Sequence, residues 1–423
     1  MRYFLILGHN PTLSTAEIIN TLPKQVNEFR VCKLSKEVLI LETKEKINVQ
    51  KLQQQLGGTI KIGEIMPIRM QISTNFDPNI IDEITKKLLK KSSPQESRTL
   101  KKVFFGLSIY KLDESVNFNK VVRQVKQIAL KIKTGLRERG VSSRWVSSKE
   151  RILSSVIVQK NKLLTQGIEF CLLVGEEKIY LGQTLSCQEF EEYEFYDFAR
   201  PIRTIEKGML PPKLAKIMIN LAQTTKDEII LDPFCGSGTI LQEAVRLGYQ
   251  NIIGSDISQE AVKKTKKNIE WLAIKLKNEN IIKNLKIFQS DVRKISQKIS
   301  PNSIDSIITE PYLGPIKIEN YKLKIENLVK ELSSLYLAAF REFKKILKLN
   351  GRIVIIFPIF RINNRLILLP ILDQIKKMNW QPINPIPDNL RKQPVIQLTK
   401  RDSIIYSRPG QKILREILIF KNR

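Results

Sequence analysis

The sequence predicts an α/β protein whose C-terminal half folds around a mostly parallel sheet closed by an antiparallel hairpin. Three observations carry this expectation. From Glu228 onward, short apolar runs alternate with amphipathic helical patterns, as in parallel strands joined by helices. The run Asp232-Pro233-Phe234-Cys235-Gly236-Ser237-Gly238-Thr239-Ile240-Leu241 sets a glycine turn between a strand and the start of a helix. Near the C-terminus, Ser403–Tyr406 and Leu414–Phe420 flank Arg408-Pro409-Gly410-Gln411, which reads as a hairpin.

The first strand of this half, Glu228-Ile229-Ile230-Leu231, feeds the glycine turn, and Gln242–Leu247 continues as helix. Gly236 and Gly238 have no Cβ, so backbone N–H groups can approach a ligand there. Asp232 stands ahead of the glycines, where a carboxylate would repel a phosphate. It suits a ligand with a positive end, such as the amino-acid part of S-adenosyl-L-methionine. Asp232, Phe234, Cys235, Gly236, Gly238 and Thr239 are therefore candidate cofactor-binding residues.

The second strand, Asn251–Asp256, ends in an acid at about the 20-residue spacing at which dinucleotide folds hold ribose hydroxyls. Asp256 and the following Ile257 join the cofactor candidates. Leu285–Gln289 reads as the third strand, and Asp291 with Val292 follows it, so Asp291 suits an adenine amino group. Taken singly, either acid suits a surface loop; in this order after successive strands they favour an adenosyl ligand. The fourth strand, Ile304–Ile308, runs into Thr309-Glu310-Pro311-Tyr312-Leu313-Gly314-Pro315. Here the Glu310 carboxylate and the Pro311 carbonyl suit hydrogen bonds from an exocyclic amine, and Tyr312 can stack on a base. Such contacts aim a nitrogen lone pair at a methyl donor, which is catalysis by positioning. Glu310, Pro311 and Tyr312 are the catalytic candidates. Downstream, Leu328–Leu347 reads as a helix stopped by Asn350-Gly351, Arg352–Phe357 as the fifth strand, and Ile371–Met378 as a helix.

The composition narrows the partners. The 423 residues suffice for two or three domains, and 42% hydrophobic residues allow a sizeable core. Lys and Arg number 71 against 42 Asp and Glu, a net charge of +29, which calls for an anionic partner such as nucleic acid. Codon usage rich in A·T raises Lys, Ile and Asn, but not by itself this excess of cations. Cys32, Cys171, Cys187 and Cys235 form no C-x-x-C pair, and His9 is the only histidine. Neither a disulfide framework, a metal site nor histidine chemistry is expected. Methyl transfer from a sulfonium needs none of these. The apolar runs Met1–Gly8 and Ile353–Phe360 are too short for a signal sequence or a membrane span, so a soluble, cytoplasmic protein is expected, with no membrane partner.

The N-terminal half reads as a second α/β region. Tyr3–Leu7 and Val38–Thr43 read as strands, as does Glu64–Met70, while Ser14–Asn20, with Ser14 as its cap, and Val49–Leu56 read as helices. Val103–Tyr110 is a strand and Asn119–Arg139 a long cation-rich amphipathic helix ended by Gly140. Arg144-Trp145-Val146 is a short strand, Ser154–Lys162 a helix or strand, and Glu169–Val174 with Lys178–Thr184 a hairpin. Arg144, Lys149, Arg151, Lys160 and Lys162 form a basic series through this region. An acidic, aromatic stretch, Gln188–Asp197, precedes Gly208-Met209-Leu210-Pro211-Pro212-Lys213-Leu214-Ala215, whose prolines enter a helix over Lys213–Gln223.

In their order, Asp232–Thr239, Gly254–Ser258, Gln289–Arg293 and Thr309–Pro315 resemble the motifs of class I, Rossmann-like methyltransferases that modify exocyclic amines of nucleic-acid bases. That family's fourth motif is Asp or Asn followed by Pro-Pro-Tyr or Pro-Pro-Phe. Here Glu310 takes the acidic position, Pro311 and Tyr312 the two prolines, and Leu313 the aromatic, so the acceptor departs from the family's pattern. Arg144–Val146, Leu153–Val156 and Lys160–Leu163 resemble a THUMP domain, an RNA-binding module of tRNA-modifying enzymes. The Gly208–Ala215 segment resembles the one before the methyltransferase domain in THUMP-containing tRNA guanosine methyltransferases. The resemblance implies that this segment packs beside the donor pocket, with Met209 and Leu210 in packing or cofactor contact.

Together these likenesses imply an S-adenosyl-L-methionine-dependent tRNA methyltransferase acting on guanosine N2, at position 10 in that family, with Arg144, Lys149, Arg151, Lys160, Asn161 and Lys162 as RNA-binding candidates. The implied division is an N-terminal α/β module over 1–75, a THUMP-like domain over 76–186, a linker and packing helix over 187–222, and the Rossmann-like domain over 223–423. A DNA amino-methyltransferase, a catalytically inactive RNA-binding homologue and an accessory protein subunit stay open at this point.

Overall fold

The computed structural model describes residues 1–71, 78–92, 102–113, 116, 118–202, 209–315, 321–362 and 365–423. The division expected at residues 75 and 76, together with Gly208, lies outside them. Two compact units emerge: one of residues 1–15, 22–54 and 59–190, the other of 16–21, 55–58 and 191–423.

The first unit is built on a sheet of β1 (Arg2–Leu7), β2 (Phe29–Leu34), β3 (Val38–Thr43), β4 (Thr59–Gln71), β5 (Val103–Lys111), β6 (Ser143–Val146), β7 (Gly167–Val174) and β8 (Lys178–Cys187). Their order is β2-β3-β1-β4-β8-β7-β5-β6. Its helices are α1 (Pro11–Thr21, which runs on into the second unit), α2 (Val49–Gln55), α3 (Pro78–Ser92), α4 (Phe118–Glu138) and α5 (Ser155–Lys160). Ser14 is not the cap of α1. The helix starts earlier, and Asn10 caps it by accepting from the Leu13 N–H at 3.0 Å, while the Ser14 hydroxyl donates back to the Asn10 carbonyl. The ambiguous Ser154–Lys162 stretch is helical because Ser154 caps it, accepting from the Ile157 N–H. In the core, α3 and α4 bury Ile84, Leu88, Ile128, Ile132 and Leu136 against Phe105, Phe170 and Leu172 of the sheet. Lys61 and Glu169 form a fully buried ion pair at 2.5 Å. Ser108 and Thr184 also donate to Glu169, and Lys61 donates to the Leu153 carbonyl, so the two charges keep polar partners away from water.

The second unit contains β9 (Ile229–Asp232), β10 (Asn251–Asp256), β11 (Leu285–Gln289), β12 (Ile304–Thr309), β13 (Leu347–Ile362), β14 (Arg365–Leu368), β15 (Trp380–Ile383), β16 (Ile404–Tyr406) and β17 (Ile413–Asn422). The main order is β11-β10-β9-β12-β13-β17-β15. Strands β9 to β13 pair in parallel, and β17 turns antiparallel against β13, β15 and β16. This is the Rossmann-like sheet with an antiparallel end. Its helices are α6 (Phe190–Phe198), α7 (Pro212–Ala222), α8 (Thr239–Arg246), α9 (Gln259–Lys275), α10 (Asn280–Lys283), α11 (Tyr321–Ile346), α12 (Leu372–Lys377) and α13 (Asp388–Arg391). Asn350-Gly351 does not stop α11, which ends at Ile346. The pair instead sits where the β12–β13 register shifts, with Asn350 at φ +65°. The long apolar run of β13 follows from its central place in the sheet, buried on both faces.

Phe340 of α11 anchors the core on one side of this sheet, with ring centroids 5.1 Å from Phe420, 5.6 Å from Trp380 and 5.9 Å from Phe343. Among the described residues, no helix is long and apolar enough to cross a membrane. Phe340→Ala removes the ring that joins α11 to β15 and β17. It should destabilise the second unit by about 3–5 kcal/mol in denaturant titration. A loss below about 1 kcal/mol would show that the cluster closes without it.

Candidate active site

The order of strands reverses between β9 and β12: β10 and β11 follow on one side, β13 on the other. In open α/β sheets, ligands bind at the carboxyl ends of strands beside such a reversal. A cavity of about 750 Å³ opens there. Lining it are Asp232, Phe234, Cys235, Gly236, Thr239, Asp256, Ile257, Asp291, Val292, Glu310, Pro311 and Tyr312, with Met209 and Leu210 from the segment before α7. Of the residues expected at the cofactor and catalytic positions, Gly238 alone is not on its wall.

Local chain geometry explains the glycine turn. Gly236 and Gly238 take φ of +56° and +84°, which side chains with a Cβ rarely adopt. A Cβ on Gly238 would also meet Thr265 of α9 at 2.8 Å. Helix α9 in turn supports the turn's carbonyls: Thr265 donates to Gly236 at 2.8 Å and Asn268 to Ser237 at 2.9 Å. Both supporting residues lack any sequence signal, since each looks like an ordinary polar residue in an amphipathic helix.

The three strand-end acids have different environments. Asp232 is buried, and its Oδ1 accepts from the Thr309 hydroxyl at 2.7 Å and the Phe234 N–H at 3.2 Å. Burial outweighs these bonds and, with Asp256 and Glu310 nearby, raises its carboxyl to about 7. Asp256 accepts from the Gly236 N–H at 3.0 Å and the Ser258 N–H at 2.9 Å, so it braces the glycine turn while facing the cavity. Asp291 caps a short helical turn and is held by Arg293, which donates from its backbone N–H, Nε and Nη2. The hydrogen bonds from Arg293 hold the Asp291 carboxyl below its ordinary range. An adenine at this corner would meet a carboxylate already engaged by a neighbour, a feature the sequence did not reveal.

The loop after β12 is held at several points. Glu310 is paired with Arg415 of β17 at 2.5 Å. The Tyr336 hydroxyl of α11 lies 3.2 Å from the Tyr312 carbonyl, to which it donates. Gly314, at φ +105°, packs near Leu328 and Phe360. The Tyr312 side chain itself is 52% exposed, so in this structure the ring has open space on which a planar group can stack.

The residues expected to contact RNA belong to the first unit. Arg144 lies exposed on edge strand β6, and Lys149, Lys160 and Lys162 are exposed. Arg151 is half-buried and donates to both oxygens of Glu37 and to the Ile109 carbonyl. Asn161 ends α5, its amide donating to the Ile157 carbonyl at 2.9 Å. Arg151 and Asn161 are thus engaged within the fold.

Comparison with known proteins agrees with this geometry. Residues 200–379, which carry the cavity, match the family described as RMKL-like, methyltransferase domain. The chain is similar to tRNA (guanine(10)-N2)-dimethyltransferases. It is 30% identical to that of Pyrococcus abyssi over 192 residues, 43% of this chain and 50% of the relative. With that of Methanocaldococcus jannaschii it shares 29% over 145 residues, 34% of this chain and 39% of the relative. With human tRNA (guanine(10)-N(2))-methyltransferase TRMT11 it shares 26%, covering 45% of this chain and 47% of the relative. The matched part of the chain therefore spans half or less of each of these relatives. Among solved structures, TrmN from Thermus thermophilus aligns over the full length of both chains with a TM-score of 0.54 at 14% identity, a likeness of fold.

The state of Asp232 generates a prediction. In the free protein its carboxyl is largely protonated below about pH 7. An ammonium group placed against it favours the charged form, so binding releases a proton at low pH. Affinity for S-adenosylhomocysteine should fall as pH drops from 7 to 5.5, by up to roughly tenfold per unit. Calorimetry across that range checks this. A flat profile, or one unchanged in Asp232→Asn, would remove Asp232 from the ligand's positive end.

Proposed function

We propose that this protein transfers a methyl group from S-adenosyl-L-methionine to the exocyclic N2 of guanosine in tRNA, at position 10. The observation that carries this reading is the placement of two acids, Asp232 and Glu310, at the ends of adjacent parallel strands and on the wall of one cavity. One suits the positive end of a donor and the other the amine of an acceptor. The relatives named above support tRNA and guanine N2 as the substrate.

The bound donor would supply an electrophilic methyl group on a sulfonium. The chain's own residues do the positioning. Asp232 suits the positive amino-acid end and Asp256 the ribose hydroxyls, while the Gly236 and Gly238 N–H groups stay engaged with Asp256 and the Cys235 carbonyl. Phe234, Ile257 and Val292 give apolar walls, and Asp291 lies at the adenine corner. Glu310 and the Pro311 carbonyl accept the two amine hydrogens, which turns the nitrogen lone pair toward the methyl carbon. Transfer would exchange the donor's C–S bond for an N–C bond, and the proton leaving the amine would pass to the Glu310 carboxylate and on to water. Tyr312 stacks on the base.

The first unit is assigned the RNA. Arg123, Lys126, Lys133 and Arg137 share one exposed face of α4, at spacings of three, seven and four residues. Arg144, Lys149, Lys160 and Lys162 add exposed cations outside that helix.

Methyl transfer from labelled S-adenosyl-L-methionine to unmodified total tRNA, followed by nucleoside mass spectrometry, tests the reading. N2-methylguanosine is the expected product. Methylation of duplex DNA in preference to tRNA, or of a different tRNA nucleoside, would overturn it. Glu310→Ala should abolish turnover while S-adenosylhomocysteine affinity stays within about fivefold, since Glu310 is assigned to the acceptor. Undiminished turnover would take Glu310 out of the chemistry. Replacing Arg123, Lys126, Lys133 and Arg137 together by Gln should lower the log–log salt slope of tRNA affinity by about 3. An unchanged slope would clear α4 of phosphate contacts.

A further inference from the structure

Arg415 is the least expected residue beside the site. It lies on β17, opposite Pro358 of β13 and Tyr406 of β16, and 105 residues from the carboxylate it holds. Its Nε donates to Oε1 of Glu310 at 2.5 Å, and both side chains are largely buried, 7% and 14% exposed. Glu310 lines the cavity and Arg415 does not. The guanidinium therefore stands behind the carboxylate, on the side away from any bound base. Side chains alternate along a strand, so the next residue, Glu416, faces the other way, where it is buried against Ser403 and Arg401.

A glutamate has three side-chain torsions, and one left loose at a cavity wall samples many rotamers. A base amine needs its acceptor in one place before the lone pair can be aimed. An arginine N–H on one oxygen fixes the carboxylate. It still leaves acceptor capacity, because a carboxylate offers about four lone-pair sites.

We propose that Arg415 is a positioning residue that holds the Glu310 carboxylate, from behind, as the fixed acceptor for the exocyclic amine of the substrate base. This rests on the methyl-transfer reading above. Arg415 touches neither base nor donor and acts through Glu310. It also keeps Glu310 in the form the amine requires, since a protonated carboxyl turns one oxygen into a donor.

The groups facing Glu310 give the sign of the effect. Arg415 from β17 is the cation, Asp232 from β9 is a second acid, and Tyr336 from α11 is a buried phenol. Burial raises the Glu310 carboxyl, and Arg415 opposes that rise. Removing the cation lets burial act unopposed, so Glu310 takes up its proton at higher pH.

The test uses the 423-residue chain and two readouts. The first is the titration of Glu310 followed by side-chain carbon NMR, with the signal assigned by its loss in Glu310→Gln. It needs neither donor nor RNA. In Arg415→Gln the midpoint should rise by about 1–3 pH units. The second is the pH profile of kcat for methyl transfer to tRNA, whose acid limb should move up with that midpoint. Its KM for the donor should stay within about threefold, as expected of a residue outside the donor contacts. Asp232 titrates in the same cavity, so the two carboxyl signals are told apart by the loss of one in Glu310→Gln and of the other in Asp232→Asn. Arg415→Lys keeps the charge but loses the planar N–H geometry. It should restore the midpoint while leaving kcat below wild type, and it carries the test if Arg415→Gln does not fold.

An unmoved midpoint in Arg415→Gln overturns the proposal. So does a moved midpoint with an unmoved acid limb, which would make the pair a structural brace. Full kcat in Arg415→Lys removes the positioning role and leaves only the charge. Failure of wild-type protein to methylate tRNA, with the midpoint shift present, would sink the methyl-transfer reading and with it the acceptor role, while the ion pair itself would stand.

Discussion

Strands β9 and β12 lie side by side and parallel, yet the chain leaves them in opposite directions along the sheet. That reversal opens a crevice at their carboxyl ends. One buried hydrogen bond spans it, from the Thr309 hydroxyl at the end of β12 to the Asp232 carboxyl at the end of β9. The glycine turn begins one residue after Asp232, and Glu310 follows Thr309 directly. The Asp232 and Glu310 ends of the cavity are therefore linked through this side-chain contact.

This arrangement concentrates acids in a partly dehydrated space. Burial makes the charged form of Asp232 unfavourable in the free protein, and the nearby Asp256 and Glu310 add to that. Such a site is costly for stability, since each carboxylate prefers water. The compensation is local and different for each acid: backbone N–H groups for Asp256, Thr309 and a backbone N–H for Asp232, and a guanidinium for Glu310. A ligand with a positive end would relieve the remaining repulsion, which is a physical reason for the cavity to bind one.

The positive charge of the chain acts at longer range. A net +29 favours association with any polyanion, and its strength depends on salt. Charge of this kind brings a nucleic acid to the surface without selecting a base. In the proposed methyl transfer, selection would rest on the geometry around Glu310, Pro311 and Tyr312, where one misplaced acceptor would leave an amine lone pair pointing away from the methyl group.

Much of this was legible in the residues because it is local in sequence. A strand, a glycine turn and a helix follow one another within a few residues, and acids at successive strand ends keep their order whatever the tertiary detail. The Rossmann-like sheet, its antiparallel end and the likeness to exocyclic-amine methyltransferases all come from such short-range patterns. Helix limits were less legible: Ser14 looked like a cap, but Asn10 performs that task, and Asn350-Gly351 looked like a helix stop, but sits in a shifted strand pairing. Periodicity reports which face is apolar, not which of several polar residues meets an exposed N–H. The contacts that hold the cavity's acids were decided by tertiary structure alone. Thr309 meets Asp232 across 77 residues and Arg415 meets Glu310 across 105. Such distances depend on the register of β17 against β13 and of β12 against β9. That register is fixed by packing of the whole sheet, so no local pattern encodes it.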